Sequence, residues 1–468
     1  MLRMSLSSKP LYLLTLLIVL VGAGRIALFT AAYSSNHHKI LTPDSISYID
    51  TADAVLQTGR FAVSPEHPDT PQIMRTPGYP FFIACVFFFF AHSYSWLILW
   101  QIVISLGTMV ITYRMAVKLW NPSTAVVATL CLALDPVSWL HSQYVLTETL
   151  FTCIFTLAVW AGIAALRTTR FFHIGLLSSL LALATLIRPL TYYIMIPVTI
   201  FFLLLWTSRP GWQWKRLLFG LIVLLLPWLI IIGAWHIRNY HIAGTTEFST
   251  IQGVNLLFYR GADIVAQRDA ISFQEAQRLL GYGQYAIRHP DTQTWSETQL
   301  NQRWKHEGLQ LIRQHPGLFL KSQVRGLIKM MFDPADYALW AYLSEYREHT
   351  GPLRDFFELP FSDYLSKWVL ERTTYFLSFL LAEIYLMIVY VGTLSGVWQL
   401  LRTRHDGWSG HLFAWTIMLY IIAISAGPEA YSRFRLPLMP LLSMYAGYGL
   451  SRFSLMMRRS PHSPWDEN

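Results

Sequence analysis

The chain has 468 residues, of which 54% are hydrophobic and 13% charged. Soluble globular proteins carry about 25% charged residues, so this composition excludes an ordinary soluble domain and points to a polytopic membrane protein. The formal net charge is +9, but the basic residues sit in short clusters between apolar runs, which argues against a nucleic-acid-binding patch.

A helix needs about 20 apolar residues to cross a bilayer. In chain order, the candidate spans are residues 11–32, 95–117, 122–140, 144–166, 172–187, 190–207, 217–235, 374–400, 411–427 and 434–453, with a shorter apolar run at 77–92. The expected fold class is therefore an all-α polytopic membrane bundle of about 10–11 helices. The first run follows Arg3 and Lys9 with no clear small-x-small cleavage site, so it is read as a retained signal anchor. Cys85, Cys131 and Cys153 all lie inside apolar runs. No CxxC or Cys/His spacing accompanies them, so neither a disulfide framework nor a structural zinc site is expected.

Basic clusters set orientation. They fall at Arg3/Lys9, Arg114/Lys118, Arg167/Arg170, Arg209/Lys215/Arg216, Arg402/Arg404 and Arg452/Arg458/Arg459. Placing all six in the cytoplasm gives consistent alternation if residues 77–117 make one net crossing, with 77–92 short and tilted or re-entrant. Both termini are then cytoplasmic. The opposite, outer face receives the first loop (33–76), the turn from Asp135 to Glu148, Arg188-Pro189, the long segment 237–372 and the stretch Gly427–Arg435. This divides the chain into an N-terminal transmembrane module (1–236), an outer helical segment (237–372) and C-terminal transmembrane helices with a short tail (373–468).

Within the outer segment, Thr294 and Glu297 have the spacing of a capping box before a helix at 297–314. Pro316 opens another helix, in which Lys321, Arg325 and Lys329 share one face. Phe319, Leu320, Val324, Leu327, Ile328 and Met331 cover much of the rest. That pattern fits a helix lying in the membrane interface, or an amphipathic helix packed on its outer neighbours.

Ionisable residues collect at span ends on the outer face. Charges near hydrocarbon are costly and tend to be functional or paired. Asp44 follows Pro43 at a helix start, with Tyr48 one turn later. As a local signal it reads equally as a helix N-cap. Glu148 sits just inside a span, where it needs a partner or a proton. Arg75, Arg188, Arg238, Arg433 and Arg435 lie at the same depth and suit phosphate, because a guanidinium fork binds its oxygens in bidentate fashion. Snorkelling to headgroups is the bland alternative for each, yet five such arginines oppose the positive-inside bias. His141 and His236 are further outer-face candidates for lining a substrate site, with Tyr48.

Such a set suits transfer of a sugar from a lipid phosphate. Arginines hold the phosphate and stabilise the charge that develops as it leaves. Phosphate leaves readily, so one carboxylate acting as base on the acceptor hydroxyl or amine is enough.

The stretches PDSISYIDTADAVLQTGRF and RTPGYPFF in the first loop, with LTETLF, IRPLTYY, PWLIIIGAWHIRNY and RFRLPLMPLL in that order, resemble the membrane-embedded GT-C glycosyltransferases. The likeness is to the protein O-mannosyltransferase and lipid A aminoarabinose transferase group (glycosyltransferase families 39 and 83). It covers about residues 10–260 and the final span. The resemblance implies a GT-C bundle, a polyprenyl-phosphate sugar donor and an inverting transfer on the outer side of the cytoplasmic (inner) membrane. It implies Asp44 as the catalytic aspartate of the first loop, Glu148 as the second acid, and Arg75 as a neighbour of the donor phosphate. The chain departs from the family pattern at Ser45, where the mannosyltransferase branch commonly has a second acid, and at Thr-Pro-Gly-Tyr-Pro after Arg75. The acceptor, whether glycan, lipid A or protein, therefore does not carry over. No cofactor is expected, and a divalent metal is disfavoured because Asp44 lacks an acidic neighbour. The expected partners are the donor, the acceptor and membrane lipids, not nucleic acid. Two other readings are a transporter or flippase of a lipid-linked envelope intermediate and a non-catalytic assembly partner in envelope glycan synthesis. The first requires mid-membrane charges and an inverted repeat, neither of which is visible.

Overall fold

The structure, a computed structural model, describes residues 8–168, 170–208, 213–343, 355, 359–403 and 407–458. Of the basic residues used for orientation, Arg3, Arg209, Arg404 and Arg459 lie outside these.

The described chain is helical, with no strand beyond one isolated bridge between Ala62 and Pro71. The N-terminal half comprises α1 (Ser8–Ser35), α2 (Pro43–Thr58), α3 (Gly78–Phe89), α4 (Tyr94–Leu119), α5 (Pro122–Ala133), α6 (Pro136–His141), α7 (Glu148–Thr168), α8 (Phe171–Ile187), α9 (Met195–Thr207) and α10 (Trp214–Ala243). Short helical pieces between 251 and 292 then lead to α11 (Glu297–Gln314), α12 (Pro316–Phe332) and α13 (Asp336–Leu343). The chain closes with α14 (Thr373–Arg402), α15 (Trp408–Ser425) and α16 (Met439–Arg458).

Among the described residues, seven helices are long and apolar enough to cross a membrane: Lys9–Ser35, Tyr94–Leu119, Glu148–Thr168, Pro189–Thr207, Trp214–Ala243, Thr373–Arg402 and Trp408–Ser425. Their outward side chains are apolar; Leu229, Ile230, Leu381, Val391 and Leu394 are all exposed. In water such a belt would be unstable, and in lipid it is the natural surface.

Two expected elements change. The run 122–140 is broken after Ala133, because Asp135 caps a separate short helix by accepting from Ser138 N at 2.8 Å. The run 77–92 forms a helix of 12 residues, about 18 Å long at 1.5 Å per residue and short of a full crossing. It packs between α2 and α8.

α16 is held by α14 and α5. The α14–α16 contact depends on small residues: a Cβ on Gly396 would collide with the Tyr445 carbonyl, and one on Gly449 with the Gly392 carbonyl. Close backbone approach of this kind replaces the hydrophobic driving force that helices lack within a membrane. In the segment 237–372, helix 297–314 forms with the expected bounds, but Ser296, not Thr294, is its cap. Ser296 Oγ accepts from Gln299 N while Gln299 Oε1 accepts from Ser296 N at 2.8 Å.

Candidate active site

The first loop builds the site outward from the start of α2. Thr42 is the N-cap and Pro43 occupies the first turn, where its missing N–H costs nothing. Thr42 N donates to Ser45 Oγ at 2.9 Å, so Ser45 closes the helix start. Asp44 is therefore not the cap. Its carboxylate is free to point away, in a first turn whose dipole favours negative charge. Gly59, at φ 70°, ends the helix in the left-handed region and turns the chain back.

The returning strand-like segment is folded by Gln72. Its Oε1 accepts from Met74 N and Arg75 N, both at 3.0 Å, and its Nε2 donates to Thr51 Oγ1 at 3.1 Å. This lays Arg75 across the first turn of α2. Arg75 Nη2 donates to Asp44 Oδ1 at 2.8 Å, Nε to Ser47 Oγ at 2.9 Å and Nη1 to the Tyr48 hydroxyl at 3.3 Å. The guanidinium also sits 4.6 Å from the Tyr48 ring centroid, and Tyr48 packs edge-on against Tyr79.

The second acid enters from the bundle. Glu148 opens α7 with its side chain 1% exposed. Arg188, at the end of α8, donates from Nη1 to Glu148 Oε1 at 2.8 Å. Pro189 follows and breaks the helix there, which leaves the Arg188 side chain at the helix end.

Arg433 joins the two halves. It comes from the turn Ser432–Leu438 just before α16. Its Nη1 donates to Asp44 Oδ2 at 3.2 Å, and its Nε stands 3.7 Å from Glu148 Oε1. Aromatic rings support the arginines: Arg188 lies 4.8 Å and Arg433 5.3 Å from the Phe434 centroid, and Arg433 lies 4.7 Å from that of Tyr431. The result is an alternating chain, Arg75–Asp44–Arg433–Glu148–Arg188.

Partial burial pushes the Asp44 carboxyl up, but the Arg75 and Arg433 guanidiniums outweigh it and hold it below its ordinary value. Three guanidiniums against two carboxylates leave one positive charge, the right complement for a phosphodiester monoanion.

The other expected site residues lie elsewhere or in supporting roles. His141 is buried at the end of α6, where Nδ1 donates to Val137 O at 3.0 Å, and Thr149 Oγ1 from α7 donates to its carbonyl at 2.9 Å. His236 is engaged with the Tyr192 hydroxyl at 3.0 Å and Thr246 O at 2.8 Å, outside the charge chain. Arg238 donates to Gln72 O at 2.9 Å and Phe61 O at 2.8 Å, so it latches the first loop to α10. Arg435 is fully buried, and its Nη1 donates to Met330 O, Met331 O and Asp333 O at 2.9, 2.7 and 3.0 Å. Both arginines thus spend hydrogen bonds on backbone carbonyls at a loop and a helix end, two of which, Phe61 O and Met331 O, also accept from Gln72 N and the Tyr390 hydroxyl.

Beneath the site lies a polar cluster that sequence reading left unassembled. Arg25, fully buried, donates to Ser105 Oγ at 2.5 Å and Ser138 Oγ at 2.8 Å, beside a cavity of about 20 Å³ lined in part by Ser105, Ser138, Thr149 and Thr152. Among the described residues no group of three or more His, Cys, Asp or Glu side chains is arranged to hold a metal ion.

Residues 68–235 match the family described as dolichyl-phosphate-mannose-protein mannosyltransferase. That match takes in Arg75, Glu148 and Arg188 but begins after Asp44 and ends before Arg433. No curated protein matches the chain. Among solved structures, the Archaeoglobus fulgidus oligosaccharyltransferase in the apo form aligns over 98% of this chain and 52% of its own, with 12% identity and a TM-score of 0.52. Its complex with Zn and sulfate aligns over 94% and 49%, with 11% identity and a TM-score of 0.50. ArnT from Cupriavidus metallidurans bound to undecaprenyl phosphate aligns over 93% and 78%, with 10% identity and a TM-score of 0.39. The chain thus spans about half the length of the oligosaccharyltransferase it matches, and the likeness is one of fold.

Proposed function

We propose that the chain is a GT-C membrane glycosyltransferase, as its partial family match supports, and that it transfers a sugar from a polyprenyl-phosphate donor to an acceptor, with inversion, using Asp44 as base. The observation that supports this reading most is the alternating chain of charges, which sets one base beside three phosphate-binding groups.

The donor phosphate takes the Arg75, Arg188 and Arg433 forks, which cluster around the two carboxylates. Each guanidinium that turns to phosphate leaves Asp44 less shielded and more basic. Asp44 then accepts the proton of the acceptor hydroxyl or amine. The acceptor heteroatom attacks the anomeric carbon from the face opposite the phosphate. The bond from that carbon to the phosphate oxygen breaks, and its electron pair leaves with polyprenyl phosphate. The arginines, themselves largely buried, stabilise that developing charge more than they would in open water. Glu148, held by Arg188, fixes the positions of Arg188 and Arg433.

In this proposal the site faces the outer side of a cytoplasmic membrane, with both termini inside, as the distribution of basic residues implies. The donor enters laterally from lipid, and the acceptor is a glycan, lipid A or a protein. The reaction requires no divalent metal, since the positive charge it needs is supplied by the arginines. Activity in EDTA equal to that with added Mg²⁺ or Mn²⁺ is the expected result, and metal-dependent activity would contradict it.

The test is stoichiometric. Purified protein given a polyprenyl-phosphate sugar and an envelope extract should release polyprenyl phosphate in equal amount to sugar transferred. A flippase would move the donor across vesicles without cleaving it, and intact donor after prolonged incubation contradicts the proposal.

A further inference from the structure

α12 presents three different sides. Ser322, Gly326 and Met330 recur every four residues and are buried. Gly326 meets the chain just past α15 so closely that a Cβ on it would collide with the Gly427 backbone. A second stripe, Leu320, Val324 and Ile328, is 64%, 50% and 53% exposed. Directly beside it run Lys321, Arg325 and Lys329, all exposed. Arg325 makes one long ion pair, 3.7 Å to Asp263 Oδ1. At 100° per residue the apolar and basic stripes are adjacent arcs of one free surface.

The position of α12 says what covers that surface. Its middle abuts Gly427, just past the end of the spanning helix α15. Its last turn receives a hydrogen bond from the Tyr390 hydroxyl, which belongs to the spanning helix α14. The apolar stripe is therefore continuous with the lipid-facing belt of the bundle, and the basic stripe stands at its border. Apolar side chains in acyl chains with cations among headgroups is the arrangement of an interfacial helix.

The same helix holds the turn that carries Arg433. Arg435 ties that turn to the Met330, Met331 and Asp333 carbonyls, and Ser432 N donates to Asp333 Oδ2 at 3.1 Å. We infer that α12 docks on acidic phospholipid headgroups on the Asp44 side of the membrane through Lys321, Arg325 and Lys329, and that this docking fixes the position of Arg433. The first half stands on the surface alone. The second rests on the reading of Arg433 as a donor-phosphate ligand.

The experiment uses the full-length protein in nanodiscs of phosphatidylcholine, alone or mixed with phosphatidylglycerol. Acetylation of Lys321 and Lys329 by an amine reagent is followed by mass spectrometry. Phosphatidylglycerol should slow their labelling about fivefold, the equivalent of about 1 kcal/mol per basic residue at an anionic surface. Equal labelling in the two lipids overturns the docking. Binding of polyprenyl phosphate, the product lipid, should also tighten with phosphatidylglycerol, and K321Q/R325Q/K329Q should remove that gain. If the gain survives in the variant, the link to Arg433 is overturned. The labelling result needs only the wild-type protein and does not depend on catalysis. Failure of the proposed function would instead appear as unchanged transfer by D44N, which leaves the labelling untouched.

Discussion

Arg433 Nη1 lies 3.2 Å from Asp44 Oδ2, although 389 positions separate the two residues in the chain. One guanidinium from the last turn before α16 thus holds the carboxylate at the start of α2 and, through its Nε, reaches toward Glu148. The site does not exist until the two ends of the chain have packed together.

Arg433→Gln removes one of the two cations at Asp44 and one of three at the donor phosphate. The KM for donor should rise and kcat fall. The pH profile separates this from a merely structural effect. Asp44 is held below its ordinary value, so the free enzyme keeps its base charged, and kcat/KM is lost only as pH falls through that lowered value. In Arg433→Gln the acid limb should move to higher pH, toward the usual aspartate range. A limb that stays in place would separate Asp44 from the pH dependence.

Arg188→Met leaves Glu148 buried with its remaining cation at 3.7 Å. Breaking a buried pair from one side costs about 3–5 kcal/mol. Denaturant unfolding in detergent should show a loss of that order. Arg188→Met combined with Glu148→Gln should cost less than the two single changes added together, because the stranded charge is gone.

Arg238→Gln distinguishes a latch from a phosphate ligand. Its hydrogen bonds go to the Phe61 and Gln72 carbonyls. Limited proteolysis within residues 60–71 should therefore accelerate, while polyprenyl phosphate affinity falls less than it does in Arg433→Gln. The reverse ranking would return Arg238 to the donor site.

Gly326→Ala places a methyl group against the Gly427 backbone. Overpacking of this kind costs about 1–3 kcal/mol. Because Gly427 has φ 156° and lies six residues before Arg433, the displaced turn should lower kcat more than an alanine elsewhere on α12, such as Ser322→Ala.

Much of this was legible in the chain. Helix lengths followed from apolar runs, and Arg75 could be linked to Asp44 because both lie in one polar loop after the first span. Asp44 itself was ambiguous locally. A cap and a free carboxylate have the same sequence signature until Thr42 and Ser45 are seen to close the helix between them. The Asp135-Pro136 pair was a visible break inside 122–140 that the long apolar run overrode, and Ser296 with Gln299 was a visible capping box passed over for Thr294 with Glu297, which has the same spacing two residues earlier. The backbone contacts of Arg238 and Arg435 were hidden for a deeper reason. A span-end arginine looks the same whether its hydrogens go to a ligand or to a carbonyl, and only packing reveals which carbonyls come within its reach. The pairing of Arg433 with Asp44 is a tertiary contact that no local spacing encodes.

The most direct measurement is the transfer rate of Asp44→Asn at saturating donor, beside its affinity for polyprenyl phosphate. Asparagine keeps the shape of the side chain, and Thr42 and Ser45 still cap α2. The account predicts a rate lower by about 10²–10⁴-fold, the usual contribution of a general base, with polyprenyl phosphate still bound by the three arginines. Transfer at the wild-type rate would contradict it.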